Sequence, residues 1–291
     1  MSPTVGYSYT QSIKSDVSDE LVNTYLLRPV AGVLVRSLYR TPVTPNQVTL
    51  AAIIFGLLSA GCYSRGTPFL TAVAGLLLTL KDLLDSADGQ LARAKQTFSR
   101  AGRFLDSIGD LLVNFLVFTA ITIALITQTG RAWIVLPGVL GFVGITLRVS
   151  YHVFYHTSYL HMRNSYALNR IVEDLREEDY AVDRLTLRLH YIFQFLYGWQ
   201  DRLMQRLDRW CKGKRVFTEG QEQQWYGDLP ALRLSGLLGL GTELCVLMIC
   251  SIVNRLELYL YLNILVMNVV WGVSLFYRRY LLAPRIGARM E

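Results

Sequence analysis

Long stretches without charged residues alternate along the chain with shorter charged segments. Between Arg40 and Arg65 there is no Asp, Glu, Lys or Arg, and an apolar helix of that length crosses the hydrocarbon core of a bilayer. Five further apolar runs follow, so the pattern predicts an all-α, polytopic membrane protein with six transmembrane helices. The predicted spans are residues 46–64, 66–80, 111–130, 132–147, 231–253 and 258–277.

Two other segments show the apolar periodicity of amphipathic helices. Residues 30–39 follow Pro29 and place Val33, Leu34 and Leu38 beside Arg36. Between residues 185 and 210, apolar side chains recur at steps of three and four, which draws one stripe along a helix. We interpret the first as a juxtamembrane helix and the second as a cytoplasmic interfacial helix. A partner-binding helix is the competing interpretation of the second.

These patterns divide the chain into three parts. Residues 1–156 hold the N-terminal amphipathic helix, the first four spans and an acidic motif at residues 85–110. Residues 157–230 are predicted to form a cytoplasmic or interfacial insertion. Residues 231–291 contain the last two spans and a basic C-terminal tail.

Composition and charge support a membrane protein and set its orientation. Of the 291 residues, 52% are hydrophobic and 18% are charged, which excludes a disordered chain. Lys and Arg exceed Asp and Glu by 29 − 22 = 7, and most basic residues fall in segments predicted to lie inside. We therefore expect both termini and the acidic motif on the cytoplasmic side, with membrane lipids rather than nucleic acid as partners. The polar segment at residues 1–20 predicts no cleaved signal peptide.

Four aspartates form the acidic motif between the second and third predicted spans. Asp85 and Asp88 are three residues apart, and Asp106 and Asp110 are four apart, so each pair shares one face of a helix. Carboxylates this close together near hydrocarbon repel one another unless cations compensate them, and divalent metal ions do this best. Four aspartates suffice for a pair of metal ions that clamps a phosphoryl group. Basic residues that suit an anionic substrate lie between the two aspartate pairs: Arg93, Lys95, Arg100 and Arg103.

The motif reads D-x2-D-G-x2-A-R-x8-G-x3-D-x3-D and closely resembles the signature of the CDP-alcohol phosphotransferase family. Its eight fixed positions are Asp85, Asp88, Gly89, Ala92, Arg93, Gly102, Asp106 and Asp110. An upstream T-P-N-Q-V-T at residues 44–49 is also similar to that family. The resemblance covers roughly residues 29–156 and leaves residues 159–230 unexplained.

The resemblance implies roles for these residues. The four aspartates would bind two divalent cations, Mg²⁺ or Mn²⁺, and Asp110 would also be the general base. Asp88, Gly89, Ala92, Arg93 and Gly102 would line the cytidine nucleotide site. Asn46 and Thr49 would join that site, although a helix start after Pro45 explains both equally well. The resemblance also implies a homodimer.

Other polar residues in or beside the spans leave their roles open. Arg148 and His152 could form an acceptor pocket, with membrane-interface anchoring as the alternative. Lys81 and Asp82 are interpreted as interface residues rather than ligands. Glu243 lies in the middle of a predicted span, where an acid is costly, and is either functional or hydrogen-bonded within the bundle.

The implied function is phospholipid biosynthesis by a metal-dependent transferase of substituted phosphate groups. The predicted reaction transfers a phosphatidyl group from CDP-diacylglycerol to an alcohol acceptor and releases CMP. In an alternative reaction the acceptor carries the acyl chains, with CDP-choline or CDP-ethanolamine as donor and diacylglycerol as acceptor. An alternative of another class is a cation transporter whose acidic cluster is a transport site; it would place acidic residues on discontinuous helices near the bilayer midplane.

Overall fold

The computed structural model describes residues 8–12, 20–163, 175 and 183–288, and these contain helices and no strands. Within the insertion predicted over residues 157–230, residues 164–174 and 176–182 lie outside the described residues. The helices, in chain order, are α1 (Tyr9–Ser12), α2 (Arg28–Leu38), α3 (Pro45–Tyr63), α4 (Pro68–Lys95), α5 (Arg100–Thr129), α6 (Val135–Met162), α7 (Arg184–Lys212), α8 (Glu219–Gly227), α9 (Leu229–Gly236), α10 (Leu240–Ile252) and α11 (Leu256–Gly287).

Local capping explains where the three helices nearest the acidic motif begin. Thr44 caps α3 in a capping box with Gln47, and Pro45 occupies the first helical position. Thr67 caps α4, and Ser99 caps α5 by accepting a hydrogen bond from the backbone N–H of Gly102. These caps determine where α4 and α5, the two helices that carry the aspartates, begin.

Four helical segments are long and apolar enough to cross a membrane: Pro45–Ser64, Arg100–Thr129, Ala132–Met162 and Leu256–Gly287. The α9–α10 pair makes a fifth if it counts as one span. By helix length and composition the chain is therefore an integral membrane protein with four or five candidate spans among its described residues. The predicted second span lies in the first half of α4, but charged residues fill the second half of that helix.

The span predicted over residues 231–253 is not one straight helix, and it counts as a span only if two bent helices are taken together. The chain leaves helical geometry between Gly236 and Leu240, and α9 and α10 meet at a bend of 40°. The break contains Gly239, whose missing side chain makes room for the carboxyl group of Glu20. Glu20 also accepts a hydrogen bond from the backbone N–H of Thr242 at 3.2 Å, in the first turn of α10.

The core joins α3, α4, α5 and α10. Its fully buried members include Tyr63, Leu78, Ile121 and Leu247. Tyr63 shares a 2.7 Å hydrogen bond with Ser251, so the phenol of α3 has a partner on α10. Many large apolar side chains on the outer faces of the spans are exposed, as expected of surfaces that meet lipid.

The first half of the long helix α7 turns polar side chains toward the bundle and apolar side chains away from it, whereas Leu203 and Leu207 in the second half pack against the core. Thr186, His190 and Gln200 are buried, whereas Leu185 is 63% exposed and Phe195 is 81% exposed. His190 stacks on Phe104 of α5, with ring centroids 4.8 Å apart. The apolar side chains at Leu185 and Phe195 are therefore exposed on the outer surface of the described residues. The polar side chains of α7 lie close to the acidic motif.

A buried aspartate ties the far end of α7 to its neighbours. Asp208 accepts hydrogen bonds from Tyr155 of α6 at 3.0 Å, and from Trp225 at 2.8 Å and Tyr226 at 3.0 Å, both of α8. Lys212 completes the group with an ion pair to Asp208 at 3.1 Å. With its oxygens satisfied in this way, the buried carboxylate holds α7 against the bundle.

Candidate active site

Three of the four motif aspartates meet in a single cluster. Asp85 and Asp88 project from the second half of α4, and Asp106 projects from the second turn of α5. Each offers a carboxylate oxygen, and these oxygens lie within 4.8 Å of one another. Hard divalent cations prefer such an all-oxygen set, so the cluster fits a Mg²⁺ or Mn²⁺ ion.

The fourth aspartate has a different partner. Asp110 lies one turn beyond Asp106 on α5 and forms an ion pair through its Oδ1 with the ammonium group of Lys81. Lys81 is 1% exposed, so it is a buried member of the charged centre and not the interface residue that its sequence position suggested. Asp82 is also buried, at 8% exposed. Sequence reasoning missed Lys81 as the partner of Asp110 because the two lie on different helices.

A first cavity of about 220 Å³ opens beside the cluster, next to the second half of α4. All seven residues predicted for the nucleotide site line it: Asn46, Thr49, Asp88, Gly89, Ala92, Arg93 and Gly102. Arg100 and Arg103 line it as well and add positive charge suited to phosphate oxygens.

Two contacts explain why α3 contributes to this cavity. Thr49 donates a hydrogen bond from its hydroxyl to Oδ2 of Asp88, which orients that carboxylate. The amide of Asn46 lies directly against Gly102, where a side chain would collide with it. A helix start at Pro45 is therefore compatible with a position at the cavity: the cap sets where α3 begins, and Asn46 and Thr49 of its first turns line the cavity.

A second cavity of about 340 Å³ lies on the other side of the cluster. Arg103 and Asp106 line both cavities, so the two spaces meet at the acidic centre. Asp110 faces the second cavity only. The remaining wall comes from α5, from α6 and from Phe193, Tyr197 and Asp201 of α7.

The α7 contribution was not predicted from the sequence. Tyr197 donates a hydrogen bond at 2.6 Å to the backbone carbonyl of Ser107, one residue after Asp106. Burial raises the pKa of Tyr197 well above its ordinary value, so the phenol keeps its proton and remains a donor. The only sequence signal was its spacing of four from Phe193 and Asp201, on the side of the helix away from the exposed apolar stripe.

The structure places the predicted acceptor residues elsewhere. Arg148 is fully buried and donates to Glu243 from Nε at 2.7 Å and to Asn268 from Nη1 at 2.7 Å. His152 is also buried, with Nε2 3.9 Å from Glu20. Neither residue lines the two cavities beside the aspartates. The network gives Glu243 a partner within the bundle, because Asn263 also donates to it at 2.8 Å.

These features define the class of the protein, which is a helical integral membrane protein. It carries a candidate metal-dependent site for an anionic substrate, formed by the carboxylate cluster on α4 and α5 and by two cavities that share Arg103 and Asp106. Residues 42–166 match the family model described as CDP-alcohol phosphatidyltransferase. The match agrees with the resemblance predicted from the motif: this part of the chain is similar to a CDP-alcohol phosphatidyltransferase domain.

Curated relatives agree with this assignment. A protein named bifunctional IPC transferase and DIPP synthase, from Aquifex aeolicus, is 29% identical over 157 residues, which are 54% of this chain and 33% of that protein. A protein of the same name from Archaeoglobus fulgidus is 40% identical over 87 residues, 30% of this chain and 17% of that protein. Archaetidylinositol phosphate synthase from Pyrococcus horikoshii is 31% identical over 96 residues, 33% of this chain and 50% of that protein. The chain thus covers between 17% and 50% of the length of these three relatives.

Proposed function

We propose that the protein transfers a phosphatidyl group from CDP-diacylglycerol to an alcohol acceptor and releases CMP. The observation that carries this proposal is the acidic cluster between two cavities that share Arg103 and Asp106. The first cavity has the residues for the nucleotide head, and the second can admit a hydroxyl group beside Asp110. The names of the relatives, which are transferases and synthases, support the same class of reaction.

The residues present fit the divalent cations that the family implies. Asp85, Asp88 and Asp106 would hold one ion, and Asp110 would extend the set to a second, with Mg²⁺ or Mn²⁺ as the natural choices for carboxylate oxygens. Bound there, the ions would neutralise the diphosphate of the donor and make CMP a better leaving group. Thr49 would hold the Asp88 carboxylate in position.

In the proposed reaction, the acceptor oxygen bonds to the phosphorus distal to cytidine, and the bond from that phosphorus to the oxygen of CMP breaks. The acceptor proton passes to Asp110. Because Lys81 engages Oδ1 of Asp110, Oδ2 is the atom assigned to take the proton. The positive charge of Lys81 favours the ionised carboxylate that a general base needs. Arg93, Arg100 and Arg103 bind and orient the donor phosphates.

The membrane arrangement proposed with this function has six spans. The first half of α4 is the sixth, in addition to the four apolar helices and the α9–α10 pair. Both termini and the acidic centre lie on the cytoplasmic side, α2 and α7 lie in the interface, and the protein is a homodimer. The donor then keeps its acyl chains in the bilayer while its nucleotide head reaches the aspartates. The exposed apolar stripe of α7 supports an interfacial position.

The test is substrate pairing with purified protein in detergent. We expect CMP release from CDP-diacylglycerol when Mg²⁺ and an alcohol acceptor are present, and no release after chelation with EDTA. Release only from CDP-choline or CDP-ethanolamine with diacylglycerol would reverse the donor assignment. Cation flux into liposomes without CMP release would instead favour a transporter, although the motif aspartates lie on helices without a break at the cluster.

A further inference from the structure

Helix α7 belongs to the segment that the family match does not cover, yet it forms one wall of the second cavity. Phe193, Tyr197 and Asp201 follow one another at steps of four, so a helix brings all three to one face. The hydrogen bond from Tyr197 to Ser107 fixes this face against the turn of α5 that carries Asp106. The contact places α7 side chains next to the space that the acceptor hydroxyl must enter.

The charge of that wall limits what can bind there. Among the described residues that line the second cavity, Arg103 is the single basic side chain, and Asp201 offsets it. Asp106 and Asp110 lie at the end of the cavity next to the proposed metal site, where bound cations would balance their negative charge. The other polar groups of the wall carry no charge: Ser107, Asn114, Thr146, Ser150, Thr157 and Tyr197.

Arg148 does not change this balance. Although it lies on α6, as do the lining residues Thr146 and Ser150, its guanidinium is held by Glu243 and Asn268. A phosphate monoester carries a charge of about −1.5 to −2 at neutral pH, and its recognition in proteins uses clustered arginines. The described wall offers no such cluster, so a phosphorylated acceptor would enter with a charge that the wall leaves uncompensated.

We propose that the second cavity is the acceptor site, that it selects an alcohol without a phosphate group, and that Tyr197 and Asp201 of α7 are specificity-determining residues. This inference rests on the proposed function, whose acceptor it restricts. Hydroxyl and amide groups of the wall hydrogen-bond the hydroxyls of a neutral polyol, and Asp201 also tolerates the ammonium group of an amino alcohol. The apolar residues Leu111, Val149 and Val153 line the rest of the cavity.

The first experiment compares matched acceptor pairs with wild-type protein, CDP-diacylglycerol and Mg²⁺. The pairs are inositol and inositol phosphate, glycerol and glycerol phosphate, and serine and phosphoserine. We expect the unphosphorylated member of the preferred pair to have a kcat/KM at least about tenfold higher, equivalent to about 1.4 kcal/mol. The preferred pair identifies a polyol or an amino alcohol. A preference for the phosphorylated member overturns the inference.

The second experiment tests α7 directly. Asp201→Asn and Tyr197→Phe should each raise the KM for the acceptor about fivefold or more and leave the KM for CDP-diacylglycerol unchanged. Asp201→Lys should shift the ratio of the two acceptor classes toward the phosphorylated member, which a merely structural role would not do. Arg202→Gln, an exposed charge in the same turn that does not line the cavity, is the matched control. Unchanged acceptor KM and ratio in all three α7 variants overturn the assignment.

Binding of the donor and release of CMP together separate this inference from the proposed function. Mg²⁺-dependent binding of CDP-diacylglycerol to the wild type is measured by calorimetry. If the donor does not bind and CMP is not released in the presence of any acceptor, the proposed function itself fails. If the donor binds but no acceptor leads to CMP release, the proposed function also fails. If CMP is released at least as efficiently with the phosphorylated acceptors, the proposed function stands and only the present inference falls.

Discussion

Four aspartates of one sequence motif have two different surroundings. Asp85, Asp88 and Asp106 face one another, and the Thr49 hydroxyl donates to Asp88, whereas Asp110 is paired with Lys81. A carboxylate cluster is stabilised by bound cations, while a carboxylate already paired with an ammonium group depends on them less. We therefore expect Asp85, Asp88 and Asp106 to hold the first cation, and Asp110 to act as the base and to contribute only to the second cation.

Substitution of one residue from each group tests this division. Asp85→Asn should weaken Mn²⁺ affinity and turnover together. Asp110→Asn should leave the affinity of the first Mn²⁺ ion within about threefold and lower kcat by about 10²–10⁴, the usual contribution of a general base. Mn²⁺ binding followed by electron paramagnetic resonance and CMP release followed in parallel give the two readouts. Normal turnover in Asp110→Asn would remove the base assignment.

Thr49 is expected to act on metal binding through Asp88. Thr49→Val keeps the shape of the side chain but removes the hydroxyl that donates to Oδ2 of Asp88. Loss of such an orienting hydrogen bond typically costs 10–100-fold in metal affinity. Thr79→Val on α4 is the control, because the Thr79 hydroxyl donates at 3.0 Å to the carbonyl of Gly75 in its own helix. Equal Mn²⁺ affinity in the two variants would show that Thr49 does not orient the ligand.

At the scale of helices, a buried ion pair fastens α6 to α10. Arg148 is 0% exposed and Glu243 is 1% exposed, and Asn263 and Asn268 of α11 complete their hydrogen bonds. Their separation of 95 residues explains why the sequence marked Glu243 as costly without identifying its partner. The pair lies outside both cavities, so its role is to hold three helices together around the site.

Breaking this pair from one side should destabilise the protein strongly. Glu243→Leu leaves the Arg148 charge buried and unpaired, a change that costs about 3–5 kcal/mol in comparable pairs. The double variant Arg148→Met with Glu243→Leu removes both charges and should recover most of the lost thermal stability. Unfolding in detergent, followed by intrinsic fluorescence, measures both. A double variant as unstable as Glu243→Leu alone would contradict this account.

Local signals predicted the helices better than the packing between them. The caps at Thr44, Thr67 and Ser99 follow from short-range chemistry, and so does the first cavity, since its walls come from three successive helices. The break at Gly239 depends on Glu20, more than 200 residues away. Likewise, no short-range pattern could reveal that Tyr197 contacts Ser107. Long-range contacts therefore account for most of what the sequence missed.

For the whole molecule, two groups of loops lie at opposite ends of the bundle. Gln128 at the end of α5 donates to the carbonyl of Gly66, and Trp133 and Glu257 line one small cavity together. The connections after α3, α5 and α10 thus share one end. The aspartates, at the other end of α4 and the start of α5, are remote from it along both helices. This polarity agrees with the positive-inside orientation proposed above.

Cysteine labelling in intact membranes tests both the orientation and the sixth span. In a variant whose four cysteines are replaced by alanine, Arg65→Cys, Arg131→Cys and Arg255→Cys should react with an impermeant maleimide from outside. Thr97→Cys and Lys214→Cys should react only after the membrane is opened. The pair Arg65 and Thr97 flanks α4, so opposite labelling means that α4 crosses the bilayer. If both positions label from one side, α4 does not span, the six-span arrangement fails, and the helices after it reverse their proposed direction.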